Sequence, residues 1–134
     1  MHKIKLQIRF SDIDRLGHVN NSIYSQYFDV ARLDYLKHTI GKFIAWHEKT
    51  VVIVHIDNDF LIPTLIDDTI FAVSQVVKIG NRSIAMNQQI VDDKGNIKVK
   101  SHCVFSTVDV KTGTSFPVPE EWKKCIEDFE GRKM

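Results

Sequence analysis

The sequence predicts an α+β domain in which a mostly antiparallel sheet is wrapped around one long, very apolar helix. Three observations predict it. The N-terminal residues alternate apolar and polar, as a half-buried strand does. Residues 21–40 carry apolar side chains at helical spacing over a face too broad for one-sided burial. Between residues 51 and 110, four β-rich segments follow one another through short turns. At 134 residues, one domain spanning 1–134 is expected.

Taken in order, Ile4, Leu6, Ile8 and Phe10 alternate with Lys3, Lys5, Gln7 and Arg9, which predicts a strand with one wet face. The alternation stops at the polar segment Ser11–Gly17. Asn20, Asn21 and Ser22 are all good helix N-cap types. Tyr24, Tyr27, Phe28, Ala31 and Tyr35 then recur at helical spacing, widened by Ile23, Val30, Leu33 and Leu36. Gly41 is the expected stop. Val51–Ile56 is β-branched and nearly unbroken, which predicts a strand covered on both faces, ending before Pro63. His55 inside it reads as a core or interface histidine. Strands are expected over 69–78, 82–91 and 97–110, with Gly80-Asn81 and Asp92-Asp93-Lys94-Gly95-Asn96 as turns. Pro117 and Pro119 precede a short helix with a Trp122, Cys125, Ile126, Phe129 stripe.

A net charge of +1 gives no support for nucleic acid or an anionic membrane as a partner. Cys103 and Cys125 lack metal-ligand spacing and read as small buried hydrophobes. The first residues lack the unbroken apolar run of a signal peptide, and no stretch nears the ~18 apolar residues of a membrane span. A cytoplasmic protein is therefore expected.

The chemistry is concentrated in Asp12-Ile13-Asp14-Arg15-Leu16-Gly17-His18-Val19-Asn20-Asn21-Ser22-Ile23-Tyr24. Carboxylates, a histidine and two asparagines stand between a strand and the start of a buried helix. A helix N-terminus offers unpaired N–H groups and a positive dipole end, which suit an oxyanion. A nearby carboxylate suits attack on a carbonyl or activation of water. Gly17 permits a tight turn and close substrate approach. The Asp residues also fit a plain turn, and Asn20 and Asn21 fit plain helix caps. No further ligand stands at a diagnostic spacing for a metal at Asp12-x-Asp14. There is no Gly-x-Ser-x-Gly elbow.

The pattern Asp12-x-Asp14-x-x-Gly17-His18-Val19-Asn20-Asn21-x-x-Tyr24 resembles the hotdog-fold thioesterases, the 4-hydroxybenzoyl-CoA thioesterase-like family. Asp59-Phe60-Leu61-Ile62-Pro63, Gly80-Asn81-Arg82-Ser83 and Asp93-Lys94-Gly95 extend the resemblance downstream in the family's order. The resemblance implies hydrolysis of acyl thioesters, acyl-CoA or acyl-carrier-protein, with no cofactor. It implies Asp14 as nucleophile or general base, and a backbone N–H near Asn21 as the oxyanion contact. Some relatives carry histidine where Asn21 stands; asparagine cannot act as a base. Gly17, His18, Asn20, Tyr24, Phe60, Arg82 and Ser83 are the expected substrate-binding residues, with Arg82 toward the CoA phosphates. Lys100 is a second cation for that role. The resemblance also implies a homodimer or homotetramer. The alternatives are a non-catalytic acyl-binding protein of the same fold and a hotdog dehydratase.

Overall fold

The computed structural model describes residues 2–134. In chain order its elements are β1 (His2–Leu6), a 3₁₀ turn (Phe10–Asp12), α1 (Tyr24–Thr39), β2 (Lys49–Phe60), β3 (Ile70–Ile79), β4 (Ser83–Asp92), β5 (Ile97–Asp109) and α2 (Glu120–Glu130). The five strands form one sheet in the order β1-β3-β4-β5-β2, antiparallel at every pairing. This is the expected α+β arrangement. The turn after Asp92 is built as its residues suggest. Asp92 Oδ1 accepts the Lys94 and Asn96 N–H groups, and Gly95 takes φ +85°.

Helix α1 lies on one face of the sheet. Tyr24, Tyr27, Phe28, Ala31, Tyr35 and Leu36 are buried beneath it. The sheet's side chains on that face alternate as period two demands: Ile70, Ala72, Ser74 and Val76 on β3, and Ile84, Met86, Gln88 and Ile90 on β4. The core has two parts. One surrounds the start of α1, with Leu6, Val19, Ile70, Ile90 and Val99 against its tyrosines and Phe28. The other surrounds its end, where Trp122 and Ile126 of α2 close over Tyr35, Met86 and Phe105. Between them lies a buried polar network. Arg32 donates to Gln88 Oε1 and Asp29 Oδ1, and Gln88 donates onward to Ser74 Oγ and the Phe28 carbonyl. The Gln88 amide is satisfied at both its oxygen and its nitrogen, whereas Arg32 Nε has no hydrogen-bond partner among the described residues.

Five local expectations are corrected. The first strand ends at Leu6, and Phe10 is 86% exposed. The Arg9 N–H and guanidinium draw Asp12 inward, which turns the chain before the alternation reaches Phe10. The Val51–Ile56 strand is not covered on both faces. It belongs to β2, which is an edge strand, and Val54 is 61% exposed. His55 is exposed, so it is not a core histidine, and it pairs with Asp57. Helix α1 is covered by the sheet and, toward its end, by α2, leaving Val30 and Leu33 about half exposed. Cys103 is buried, but Cys125 is only half-buried, on the flank of α2.

Candidate active site

The site is a loop held from three directions. An isolated antiparallel bridge between Ile13 and Val19 closes residues 14–18 into a small hairpin. Within it the Asp14 N–H donates to the His18 carbonyl at 2.9 Å, and the Gly17 N–H donates to the Asp14 carbonyl at 3.1 Å. Gly17 takes φ +85°, and a Cβ there would meet nothing within 4 Å. The glycine is needed for its backbone conformation, not for room. The Val19 N–H reaches the Thr64 carbonyl and the Asn20 N–H reaches the Asp12 carbonyl, both at 2.9 Å. These bonds fasten the loop to the segment after β2 and to the 3₁₀ turn.

Asp14 is half-buried. One of its oxygens, Oδ1, accepts the Leu16 N–H at 2.9 Å, an Asx turn that fixes the carboxylate's direction. Its Oδ2 has no partner among the described residues. A carboxylate so placed is oriented yet keeps lone pairs for a proton or a carbonyl carbon.

Asp12 has the opposite character. It is 1% exposed and receives the Tyr27 hydroxyl at 2.5 Å, the Arg9 N–H at 2.9 Å and the Arg9 guanidinium at 3.1 Å. Burial pushes its pKa up, but the hydrogen bonds from Tyr27 and Arg9 and the Arg9 charge outweigh it. The carboxyl is held below its ordinary range. Burial and the bond to Asp12 push the Tyr27 hydroxyl well above its ordinary value. Asp12 is thus committed to the fold, and two residues of like chemistry, two positions apart, occupy contrasting environments.

The helix start supplies the second chemical element. Asn20 makes an Asx turn just ahead of the helix: its Oδ1 accepts the Ser22 N–H at 2.9 Å and the Ser22 hydroxyl at 2.7 Å. The Ile23 N–H returns to the Asn20 carbonyl at 2.9 Å, and Ile23 already has helical backbone angles. With those donors taken, the Asn21 N–H has no hydrogen-bond partner among the described residues. It lies at the positive end of α1.

These groups share one pocket of 290 Å³, bounded by Asp14, His18, Asn20, Asn21, Tyr24 and Phe60 together with Leu16, Val19, Ile62 and Pro63. Tyr24 forms its floor, 2% exposed, with its ring 5.7 Å from Phe60 and its hydroxyl donating to Thr64 Oγ1 at 2.8 Å. The far wall, Phe60 to Pro63, is pinned by Lys98. Its ammonium donates to the Pro63 carbonyl at 3.2 Å and pairs with Asp68 at 3.3 Å. Thr64 and Lys98 carry no motif that marks them. Only the long-range contacts reveal what they hold.

The structure does not bring Arg82 and Ser83 to this pocket within one chain. Phe60 pairs with Val99, whereas Ser83 pairs with Ser106, roughly 24 Å further along β5 at ~3.4 Å per residue. Arg82 there donates to the Ser115 carbonyl and hydroxyl. Lys100 is exposed on the sheet face opposite α1.

Comparison with known proteins agrees with this fold. Residues 8–126 match the model of the thioesterase-like superfamily. The chain is 23% identical over 127 residues to the long-chain acyl-CoA thioesterase FadM of Escherichia coli, covering 93% of this chain and 96% of that one. A thioesterase of Thermus thermophilus, solved with coenzyme A and zinc, superposes with a TM-score of 0.84 at 27% identity, over 98% of this chain and 96% of that one. The 1,4-dihydroxy-2-naphthoyl-CoA thioesterase of Synechocystis shares the fold at a TM-score of 0.82 and 16% identity, over 95% of this chain and 96% of that one. No helix among the described residues is long and apolar enough to cross a membrane. With its five-stranded antiparallel sheet under one long helix, the chain belongs to the thioesterase-like superfamily and is a thioester hydrolase of the hotdog fold.

Proposed function

We propose that the protein hydrolyses acyl-CoA to the free acid and coenzyme A, with Asp14 as the catalytic carboxylate and the Asn21 N–H as the oxyanion donor. One observation carries the reading. An oriented carboxylate with an open oxygen and an unpartnered helix-start N–H line the same pocket. A thioester carbonyl is already activated, because sulfur donates little electron density to it and thiolate leaves readily. One carboxylate and one preorganised donor therefore suffice, the donor being worth roughly 3 kcal/mol. Asp14 removes a proton from water as it attacks, or attacks directly to form an anhydride that water then opens. In either case the C–S bond breaks and the sulfur leaves as thiol after protonation. His18, Asn20, Tyr24 and Phe60 bound the acyl and thioester end, and Gly17 lets the loop approach it.

The proposal includes a second copy of the chain. β2 is a 12-residue edge strand with Val54, Ile56 and Phe60 exposed at 61%, 42% and 46%. An exposed apolar edge of that length is a template for pairing with another strand. A twofold antiparallel pairing of β2 sets its Phe60 end beside the Lys49 end of the other copy. That brings the second copy's Arg82 and Ser83 to the same end as the Asp14 pocket, where a nucleotide phosphate would lie. The test is a panel of acyl-CoAs of rising chain length with detection of free thiol. Release of thiol at stoichiometry with acid supports hydrolysis. Tight binding without release overturns it in favour of an acyl-binding module.

A further inference from the structure

The far end of α1 carries a second cluster of ligating side chains. We propose that His2, Asp34 and His38 form a binding site for a divalent first-row transition ion, zinc in the first instance. Asp34 and His38 stand four residues apart near the end of α1 and so share one helix face. His2 opens β1, whose pairing with β3, His2 opposite Ser74, holds its ring over that face.

The three donors converge. His2 Nε2 is 2.7 Å from Asp34 Oδ2, and His38 Nδ1 is 3.4 Å from the same oxygen. All three ligand atoms lie within 4.8 Å of one another, the only such trio among the described residues. Tetrahedral zinc with bonds of ~2.0–2.1 Å sets its donors about 3.4 Å apart. The Asp34–His38 separation already has that value, and the His2–Asp34 contact must open by about 0.7 Å to reach it. Asp34 and His38 are exposed enough to make that adjustment, and His38 would exchange its bond to the Asp34 carbonyl for the ion.

His2 supplies the independent observation. Its side chain is 6% exposed, directed into the cluster, and packed edge-on against Tyr35 at 5.5 Å. Its Nδ1 is buried with no hydrogen-bond partner among the described residues. The nitrogen that would ligate the ion is Nε2, whose one polar contact is the half-exposed Asp34 carboxylate, while Nδ1 is the ring's other nitrogen and is not the atom the ion would satisfy. Two imidazoles and one carboxylate suit zinc and its neighbours in the series, whereas calcium and magnesium require all-oxygen shells. The site lies about 20 Å from Asn21 along α1, at 1.5 Å per residue. It therefore fastens β1 to α1 and takes no part in chemistry at Asp14.

The test titrates the untagged, chelator-stripped chain with cobalt(II) and then zinc(II). The expected result is one equivalent of cobalt with the visible absorption of a low-coordinate site, displacement by zinc, and a melting temperature raised by several degrees. His38→Ala, at an exposed position that tolerates truncation, should weaken binding at least tenfold, and Asp34→Asn likewise. His55→Ala should leave it unchanged, because the exposed His55–Asp57 pair lacks a third donor. Absence of stoichiometric cobalt binding overturns the proposal. So does binding that survives His38→Ala undiminished in a chain shown folded by circular dichroism.

Discussion

Tyr27→Phe isolates the bond that holds the Asp12–Asn20 loop from beneath. The substitution removes one hydroxyl and leaves the ring, which is 4% exposed and packed edge-on at 6.0 Å from Tyr24. What is lost is a 2.5 Å bond to the buried Asp12 carboxylate, which keeps only its Arg9 partners. Hydrogen bonds to charged groups are worth about 1.5–3 kcal/mol, so a loss of about 2 kcal/mol is expected at pH 7. For a domain of this size that is roughly 5–8 °C in melting temperature. The pH dependence follows from the direction of the Asp12 shift. Its carboxyl is depressed in the folded state, so its stabilisation is present above the unfolded value near 3.9. It is lost as pH falls through the lower folded value. The gap between wild type and Tyr27→Phe should therefore be flat from pH 7 to about 5 and narrow below about 4. Thermal denaturation in matched buffers measures it, with an Asp12→Asn double-mutant cycle to extract the pairwise coupling. A gap under about 0.5 kcal/mol at pH 7 would refute the reasoning, since that is the scale of a neutral surface change. A gap that widens in acid would refute it too.

Three further outcomes are expected. Gly17→Ala meets no steric obstacle but forces a left-handed alanine, and should cost about 1 kcal/mol in stability and lower kcat by displacing Asp14. Lys98→Met frees the Pro63 carbonyl and the Asp68 carboxylate. KM for acyl-CoA should rise severalfold, with a lower melting temperature, as the Phe60–Pro63 wall loosens. Arg82→Ala should raise KM for acyl-CoA more than for a short thioester lacking the nucleotide; equal effects remove Arg82 from the phosphate site.

Much of the fold was legible because each element announces itself over a few contiguous residues. The period of α1, the turn chemistry of Asp92–Asn96 and the Asp12–Tyr24 run are all local patterns. Seven of the pocket's ten lining residues fall within that single run, and Phe60, Ile62 and Pro63 sit in the downstream segment that resembles the family's. What sequence did not show depends on distance. A β-branched run fits both a strand covered on two faces and an edge strand awaiting a partner, so the exposure of β2 was misread. Arg82 follows a family-like turn, but adjacency to a turn says nothing of the roughly 24 Å that separates it from Phe60 along the strand. Thr64 and Lys98 act through contacts 40 and 35 residues away. His2 meets Asp34 across 32 residues, with no spacing rule to join them.

The division of labour between the two loop carboxylates is the central claim, and turnover by Asp14→Asn tests it most directly. The variant keeps an oxygen for the Leu16 N–H and preserves the loop, while removing the proposed base and nucleophile. With folding verified and coenzyme A binding unchanged, kcat on the best acyl-CoA should fall by on the order of 10² or more. A folded Asp14→Asn protein that turns over at close to the wild-type rate would contradict the account.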